Sequence, residues 1–457
     1  MAHQEKADHM TITTARRALR RRPVRLLSLL GLSGLAAVLV PISTTVASHA
    51  AGGASDGLIC ENQVGDALNP NVVLTARAGH ILTPDNNSIY MWSYSFGNEP
   101  FQYPGATLCV TEGAKVTITL KNTLNVSTSI VFPGMEGVLA DGVLSTPVAT
   151  DSLTTPAAAL GGTVTYTFDA DQAGTYLYES GTNPQLQDQM GLVGALIVRP
   201  ASFNPAAPHA YGTDLDTQYK PGKEFLNLFS ELDPDLHQKV EFAADQNAPG
   251  VNWKGYTARY WMIHGRVFPD TIGANNSLSL PSQPYSALVH IQPRDAGNPL
   301  PALVRMLNAG SRTYPFHPHG NHDKLIGVDA RPLRGDEGAD LTRDEFSRVM
   351  VPGQTSDVLV TWMDAQSFSD PGSDIGTVIP PDLARENGAY WSGTPYLGVK
   401  EAPRANATQF NECGEYYHMA HSHSLYQVAT YSASGSGMLT FTRIDPPDDS
   451  KCHPAGA

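Results

Sequence analysis

The sequence is short of charged residues, cysteines and long apolar runs. Only 16% of its 457 residues are charged, there are four cysteines, and helical periodicity is hard to find anywhere in the chain. By contrast, 41 glycines and 34 prolines supply many turn positions. A hydrophobic content of 41% is ample for sizeable cores and excludes a disordered protein. This composition predicts β-strands joined by turns, in two or three domains.

The only long apolar run lies near the N-terminus. It extends from Leu26 to Val40, after a basic segment that runs from Arg16 to Arg25, and small residues follow up to Ala50. A helix that spans a bilayer needs about 20 apolar residues, so the run is too short for an anchor. We expect residues 1–50 to be a cleaved signal peptide, the mature protein to be secreted or extracytoplasmic, and no membrane span to remain.

The mature chain is strongly acidic. Removal of residues 1–50 takes seven of the 30 basic and two of the 44 acidic side chains, which leaves a formal charge of −19. Such a surface repels phosphates, so nucleic acid is excluded as a partner.

The four cysteines form an even set, which in an exported protein indicates disulfides. Cys60 precedes the first strand of the first domain, and Cys109 lies in a strand of the same domain. Cys413 and Cys452 flank the end of the second domain. We predict the pairs Cys60–Cys109 and Cys413–Cys452. None of these residues stands beside a histidine at ligand spacing, so a thiolate metal ligand is not expected.

Short runs of alternating apolar residues divide the chain into two halves. Seven runs between residues 70 and 200, among them SIYMWSYSF and KVTITLKN, are bounded by Gly, Pro, Asn or Asp, as in an antiparallel sandwich. A second set begins at EFLNLFSEL and ends at GMLTFTRID. We predict an all-β protein with domains at 51–200 and 224–445, a linker at 201–223 and a tail at 446–457.

Six of the twelve histidines that remain after residue 50 lie in two short clusters. The first contains His317, His319 and His322; the second contains His418, His421 and His423. Residues i and i+2 of a strand point to the same face, so each His-x-His pair directs two imidazoles to one side. Two such strands side by side would bring four imidazoles together, a set that suits copper or zinc.

Each cluster also contains one histidine outside its His-x-His pair. His322 and His418 lie three residues from a pair and off the face that the pairs share. We expect them to support the ligands, since ligating histidines need hydrogen-bonding partners. Scattered surface or core histidines are the alternative interpretation of both clusters.

The two clusters, with their flanking sequence, resemble motifs of the multicopper oxidase family. The segments LVRMLNAGSRTYPFHPHGNH and GEYYHMAHSHSLYQVATYSASGSGML are similar to the third and fourth motifs of that family. The segments STSIVFPGMEGVLADG and GTYLYESGTNPQLQDQMGLVGALIV are similar to the first and second motif regions. The resemblance covers about 82–444 and implies two cupredoxin-like Greek-key β-sandwich domains that bind copper.

The copper ligands match the family only in part. At the blue-copper positions Tyr314, Ser422 and Gln427 stand where the family has His, Cys and His, so no blue copper is expected. In the first domain Val131, Pro133 and the segment around Glu179 replace all four histidines of the trinuclear cluster. His317, His319, His421 and His423 remain, enough for one or two copper ions per chain.

Glu179 stands where the family has a ligand at a domain interface. Either it completes the metal site, or it acts as a general base near a metal-bound water, or it is an ordinary loop carboxylate.

Three functions are consistent with these residues. The first is a copper-dependent oxidoreductase that oxidises a small molecule or a metal ion, with dioxygen as the oxidant; the family resemblance also implies a homotrimer. The second is a non-enzymatic metal-binding or envelope scaffold protein on a degenerate oxidase fold. A zinc hydrolase is the third, although the sequence has neither an HExxH helix nor a nucleophile elbow.

Overall fold

A computed structural model describes residues 57–62, 68–147, 151–212, 215–294, 299–320, 322–362, 416–431 and 433–445. The predicted signal peptide, the tail and the pair Cys413–Cys452 lie outside these residues. No helix in the described ranges is both long and apolar enough to cross a membrane.

The first half of the described chain is built from nine strands and one helical turn. These are β1 (Asn71–Leu82), β2 (Ser88–Phe96), β3 (Leu108–Thr111), β4 (Ala114–Asn122), β5 (Leu139–Ala140), β6 (Val143–Leu144), β7 (Thr163–Ala170), β8 (Gly174–Glu179), α1 (Pro184–Gln187) and β9 (Val193–Arg199).

Two sheets of this half face each other as a sandwich. One has the strand order β2-β1-β4-β7-β5-β6 and the other has the order β3-β9-β8. Alternate residues of β4 and β7 point inward, among them Val116, Ile118, Tyr166 and Phe168, because successive side chains of a strand point to opposite faces. Their burial against the second sheet forms the first core.

The described part of the second half contains one α-helix and fourteen strands. These are β10 (Glu224–Leu232), α2 (Pro234–Glu241), β11 (Tyr260–Ile263), β12 (Val289–Ile291), β13 (Ala302–Asn308), β14 (Tyr314–Pro318), β15 (Asp323–Val328), β16 (Arg331–Pro332), β17 (Arg343–Glu345), β18 (Arg348–Met350), β19 (Thr355–Val360), β20 (Tyr416–Ser422), β21 (Ala429–Thr430), β22 (Ala433–Ser434) and β23 (Leu439–Ile444). Short 3₁₀ helices cover Leu215–Thr217, Trp253–Gly255, Asp270–Ile272, Asp336–Gly338 and Leu425–Val428.

The second half repeats the strand pairing of the first. One sheet has the order β11-β10-β13-β19-β15-β16, with β17 beside β15, and the other has the order β12-β23-β20-β14-β18. The parallel pair β10–β13 corresponds to β1–β4, and the parallel pair β12–β23 corresponds to β3–β9. Both halves are therefore sandwiches of mixed sheets, and the all-β prediction is confirmed. The domain and linker boundaries remain predictions.

The two sandwiches share a core. Leu177, Ala195 and Ile197 of the first sandwich form one buried cluster with Leu228 and Met262 of the second. Strands β8 and β9 thus bury their outer faces against β10 and β11, which explains why these strands are apolar on both faces.

A buried ionic network also crosses from one sandwich to the other. Arg305 on β13 donates from Nε to Glu224 Oε1 at 2.7 Å, and its Nη1 lies 3.4 Å from Asp357 Oδ2 on β19. The same Nη1 donates to Thr175 Oγ1 on β8 of the first sandwich at 3.1 Å. Arg199 of β9 donates to Glu224 Oε2 at 2.9 Å. Burial opposes ionisation of Glu224, but Arg305 and Arg199 overcome it and lower the pKa of its carboxyl.

A disulfide joins Cys60 to Cys109 on β3, with the two Cα atoms 5.4 Å apart. This bond fixes residues 57–62 to the first sandwich. The same segment also contacts the second sandwich, because Leu58 N–H donates to Glu224 O of β10 at 2.7 Å.

Candidate metal centre

The two His-x-His pairs lie on neighbouring antiparallel strands. On β14 and β20 His317 stands directly opposite His421. The ladder continues past the strand ends, since His319 N–H donates to Met419 O at 2.8 Å and His423 N–H donates to Pro315 O at 2.7 Å. The register therefore places all four imidazoles on one face of this strand pair.

The four rings are in mutual contact. Ring centroids lie 4.8 Å apart for His317 and His319, 4.9 Å for His319 and His421, and 5.1 Å for His317 and His423. The centroid of His421 lies 5.9 Å from that of His317 and 5.8 Å from that of His423. The structure thus brings together the four histidines that the sequence singled out as ligands.

Backbone carbonyls fix the orientation of two of the rings. His317 Nδ1 lies 2.6 Å from Phe346 O, and His421 Nδ1 lies 2.8 Å from Ser422 O. A carbonyl only accepts, so each Nδ1 carries a proton, and in the neutral form of the imidazole each Nε2 then keeps its lone pair. Metal-bound histidines commonly have this arrangement, because a hydrogen bond at the other nitrogen sets the tautomer and the ring orientation.

The four histidines, in their present positions, match the geometry of a metal site only partly. In the described part of the chain, no three His, Cys, Asp or Glu side chains are already arranged to hold an ion. His319 Nε2 and His421 Nε2 are nevertheless 2.9 Å apart. Two nitrogens each about 2.0–2.1 Å from one ion, at a right angle, would stand about 2.9 Å apart. Two of the four imidazoles thus match a shared ion, and imidazole nitrogens suit copper and zinc.

The cluster is neutral at its buried side and opens to solvent at the other. Burial, followed by repulsion from the neighbouring imidazoles, lowers the pKa of His319 to about 4, and burial also lowers the pKa of His421. His317 and His319 are half-buried, and His423 is exposed. The two inner rings are therefore unprotonated near neutral pH, the form that binds metals, and small molecules can reach the outer rings.

His418 lies behind the cluster in a tight aromatic contact. It is fully buried, and its ring centroid lies 4.1 Å from that of Trp362. Gly320 closes this space, because a Cβ at that position would lie 2.5 Å from Trp362 Cη2 and 2.6 Å from His418 Nδ1. The φ of Gly320 is +85°, a conformation that favours glycine. Gly320 therefore holds the turn after His319 against the buried histidine.

Replacement of Gly320 by alanine should destabilise the protein by at least about 1 kcal/mol, through backbone strain and a steric clash with His418. Urea unfolding would measure the change. The matched control is Gly338→Ala, because Gly338 has a φ of +81° but no atom within 4 Å of its Cβ position. Equal losses in the two variants would contradict a packing role for Gly320.

His322 is placed differently from His418. It is exposed, and its ring meets the edge of Phe346 at 5.9 Å. The next residue, Asp323, is buried, and its Oδ1 has no hydrogen-bond partner among the described residues. Burial raises the pKa of Asp323 to about 7.

The raised pKa of Asp323 predicts a pH dependence of stability. Between the ordinary aspartate pKa of about 4 and the folded value of about 7, the folded state keeps a proton that the unfolded state releases, so stability falls as the pH rises. Asp323→Asn removes this loss. Its effect on the free energy of unfolding should therefore be more favourable at pH 8 than at pH 4, by roughly 4 kcal/mol.

Unfolding curves at pH 4 and pH 8 would test the Asp323 prediction. The control is Asp169→Asn at an exposed position of β7, which should shift stability by less than about 0.5 kcal/mol at either pH. A pH-independent effect of Asp323→Asn would refute the assignment.

Glu179 faces a separate cavity. This cavity of about 520 Å³ is also lined by Asp188 and Glu231, and none of the four clustered histidines is among its lining residues. Burial raises the pKa of Glu179; burial, and then repulsion from Glu179, raise the pKa of Asp188 well above its usual range. The structure thus places Glu179 beside other carboxyls rather than beside the imidazoles of its own chain.

The two first-domain segments in which the family has copper ligands lie side by side in this chain. Val131 N–H donates to Glu179 O at 2.8 Å, and Glu179 N–H donates to Val131 O at 3.2 Å. The segments that resemble the first and second motif regions are therefore paired with each other in the first sandwich.

The blue-copper positions contain a buried hydrogen-bond network. The hydroxyl of Ser422 donates to Gln427 Oε1, and Gln427 Nε2 donates to Thr313 O at 3.2 Å. Tyr314 donates its phenolic hydrogen to Glu231, a contact that sequence reasoning missed because the two residues are far apart in the chain. The side chains that replace His, Cys and His thus form hydrogen bonds with one another or with nearby acceptors.

Comparison with known proteins identifies the class of this fold. A blue copper oxidase from Nitrosomonas europaea aligns over 82% of this chain and 84% of its own, with a TM-score of 0.52 and 18% identity. The multicopper oxidase mgLAC aligns over 82% of this chain and 87% of its own, with a TM-score of 0.52 and 17% identity. At such identities the likeness shows the fold alone, and that fold is the predicted cupredoxin-like one.

A second comparison concerns the first half of the chain. Residues 98–202 match the family model described as multicopper oxidase. This segment contains β3 to β9, so the resemblance to multicopper oxidases predicted from the motifs is confirmed. No curated protein sequence is significantly similar to the chain.

Proposed function

We propose that this chain is an exported, copper-binding oxidoreductase of the multicopper oxidase type, with its metal site at His317, His319, His421 and His423. The observation that supports this most is the contact of four imidazoles, two of which are oriented by backbone carbonyls through Nδ1. The similarity to copper oxidases favours copper over zinc.

The residues of the site have separate tasks. His319 and His421 already place two nitrogens at a spacing that one ion can bridge, and His317 and His423 complete the set from the solvent side. A copper ion held there would supply one-electron redox chemistry. The opening at His423 admits the substrate, a small organic molecule or a metal ion, together with dioxygen.

Glu179 is proposed as the proton acceptor of this reaction. Its raised pKa, which burial causes, suits a general base. Because the cavity that contains Glu179 is not lined by the histidines of the same chain, this role requires a second copy of the protein, and a homotrimer would supply it. Glu179→Gln should lower turnover without lowering the copper content, and the mass of the assembly in solution tests the trimer.

Metal analysis and EPR of the purified protein test the copper site. We expect one or two copper ions per chain, an EPR spectrum with nitrogen hyperfine structure, and no intense thiolate-to-copper absorption. Oxygen uptake with a phenol or with Fe(II) tests the activity of the copper-loaded protein. Zinc in place of copper after loading with both metals would overturn the assignment.

The alternative is a non-enzymatic metal-binding or scaffold protein. Tyr314 is hydrogen-bonded to Glu231, and Ser422 is hydrogen-bonded to Gln427, at positions where the family has blue-copper ligands. These contacts, together with the loss of the first-domain histidines, favour this second function. Copper binding without oxygen uptake, for any phenol or reduced metal ion tested, would support it.

A further inference from the structure

Tyr314 is a buried phenol held by a carboxylate. Its side chain is fully buried and donates to Glu231, which also accepts from Ser311 N–H at 3.0 Å, Ser311 Oγ at 2.6 Å and Tyr256 Oη at 3.2 Å. Burial raises the pKa of Glu231. A proton can therefore pass from Tyr314 to Glu231 along a hydrogen bond that already exists.

A line of oxidisable rings connects Tyr314 to the surface. The ring of Trp261 meets that of Tyr314 edge-on, with centroids 6.4 Å apart, and meets that of Tyr426 edge-on at 5.4 Å. Trp261 is 6% exposed, whereas Tyr426 is 65% exposed. Tyrosine and tryptophan are the side chains whose rings most readily lose one electron, so this series offers a path from solvent into the protein.

The inner end of this series lies beside the histidine cluster. Tyr314 precedes His317 by three residues on β14, a distance of about 10 Å along an extended strand. Phe316, which precedes His317 directly, pairs with Ser422, next to His421. Tyr314 thus contacts Trp261 through its ring and shares strand β14 with His317.

We propose that Tyr426, Trp261 and Tyr314 form a one-electron relay between a surface-bound reductant and the histidine cluster, with Glu231 as the proton acceptor of Tyr314. The substrate class that this relay serves is a one-electron donor, such as a phenol or an aromatic amine, that contacts Tyr426. The proposal rests on the proposed function in one respect: the electron acceptor is Cu(II) at the histidines.

The electrons and protons of the relay balance. Tyr314 gives up one electron as its phenolic proton moves to Glu231, so that a neutral phenoxyl radical forms. A copper ion held by His317, His319, His421 and His423 would supply the one-electron oxidant for this step. An electron from the reductant, passed through Tyr426 and Trp261, restores the phenol as Glu231 returns the proton. Each cycle removes one electron from the donor and leaves the relay unchanged.

The relay can be tested in metal-free protein with fluorotyrosine placed at position 314. A flash-generated ruthenium(III) polypyridyl complex in solution serves as the oxidant, and EPR of rapidly frozen samples detects the radical. Fluorine hyperfine splitting identifies the ring at position 314 among the 18 tyrosines. The matched control carries fluorotyrosine at position 178, a fully buried phenol that donates to the backbone carbonyl of Ala106.

Two variants distinguish a role of Trp261 and Glu231 in the relay from a purely structural role. We expect a fluorine-split radical at position 314, its loss in Trp261→Phe and in Glu231→Gln, and no such radical at position 178. The Glu231→Gln substitution keeps the shape of the side chain and an acceptor oxygen, so a purely structural role of Glu231 would leave the radical intact. Equal radicals at both positions, or no effect of either variant in folded protein, would overturn the relay.

The fluorotyrosine experiment uses metal-free protein, so its outcome does not depend on bound copper. If the radical forms at position 314 but the protein binds no copper, the proposed function fails and the relay stands as an intrinsic property. If copper binds and no radical forms, the relay alone fails.

Discussion

Replacement of His421 by alanine should weaken copper binding by at least about 100-fold, because loss of a residue that merely supports a ligand already costs 10–100-fold. The ring of His421 contacts the rings of all three other histidines. Its Nε2 lies 2.9 Å from that of His319. Its removal therefore destroys the His319–His421 nitrogen pair, whose spacing fits one ion. Competition with a chromogenic chelator would measure the affinity.

The control for the His421 variant is His80→Ala. His80 is an exposed histidine of the first sandwich that pairs with Glu241 at 3.1 Å. This substitution removes an imidazole without touching the cluster, so copper affinity should be unchanged. If His421→Ala binds copper as tightly as His80→Ala, the ion is held elsewhere and the proposed site is wrong.

Replacement of Arg305 by methionine should destabilise the protein by about 3–5 kcal/mol, as expected when one partner of a buried ion pair is removed. Arg305 is fully buried, and methionine keeps much of its volume. After the substitution, Arg199 is the only arginine among the described residues that still pairs with Glu224. Asp357 loses its one arginine partner among the described ion pairs. Urea or thermal unfolding at neutral pH would measure the loss.

A surface pair and a compensated variant serve as controls for Arg305→Met. Arg259 pairs with Asp235 at 2.7 Å on the surface, so Arg259→Met should cost less than about 1 kcal/mol. Addition of Glu224→Gln and Asp357→Asn to Arg305→Met removes the unpaired charges and should recover much of the stability. Equal effects of Arg305→Met and Arg259→Met would show that the buried network contributes nothing.

The strands and the grouping of the four histidines were predictable from the sequence because both depend on local spacing. Alternation of apolar residues marks β1, β4 and β7, and the His-x-His spacing alone places two imidazoles on one face of a strand. The order of the cysteines along the strands was likewise enough to pair Cys60 with Cys109.

Long-range contacts were not predictable in this way. Tyr314 and Glu231 are 83 residues apart, and Thr175 and Asp357 are 182 residues apart, so no local pattern relates them. Spacing also failed to distinguish His322 from His418, which stand equally far from a pair. His418 lies inside β20 and is buried, whereas His322 follows the end of β14 and is exposed.

The cavity around Glu179 illustrates a further limit. The position of Glu179 at the end of β8 was readable from the motif, but its surroundings include residues of the second sandwich such as Glu231 and Gly310. Only the packing of the two sandwiches shows that Glu179 faces other carboxyls.

The shared apolar cluster of β8 to β11 also determines how the protein should melt. Neither sandwich can detach without exposing Leu177 and Ile197 on one side and Leu228 and Met262 on the other. Separation would also break the contact of Arg305 with Thr175. Calorimetry should therefore record one endotherm for both sandwiches, with equal calorimetric and van't Hoff enthalpies, rather than a separate peak for each half.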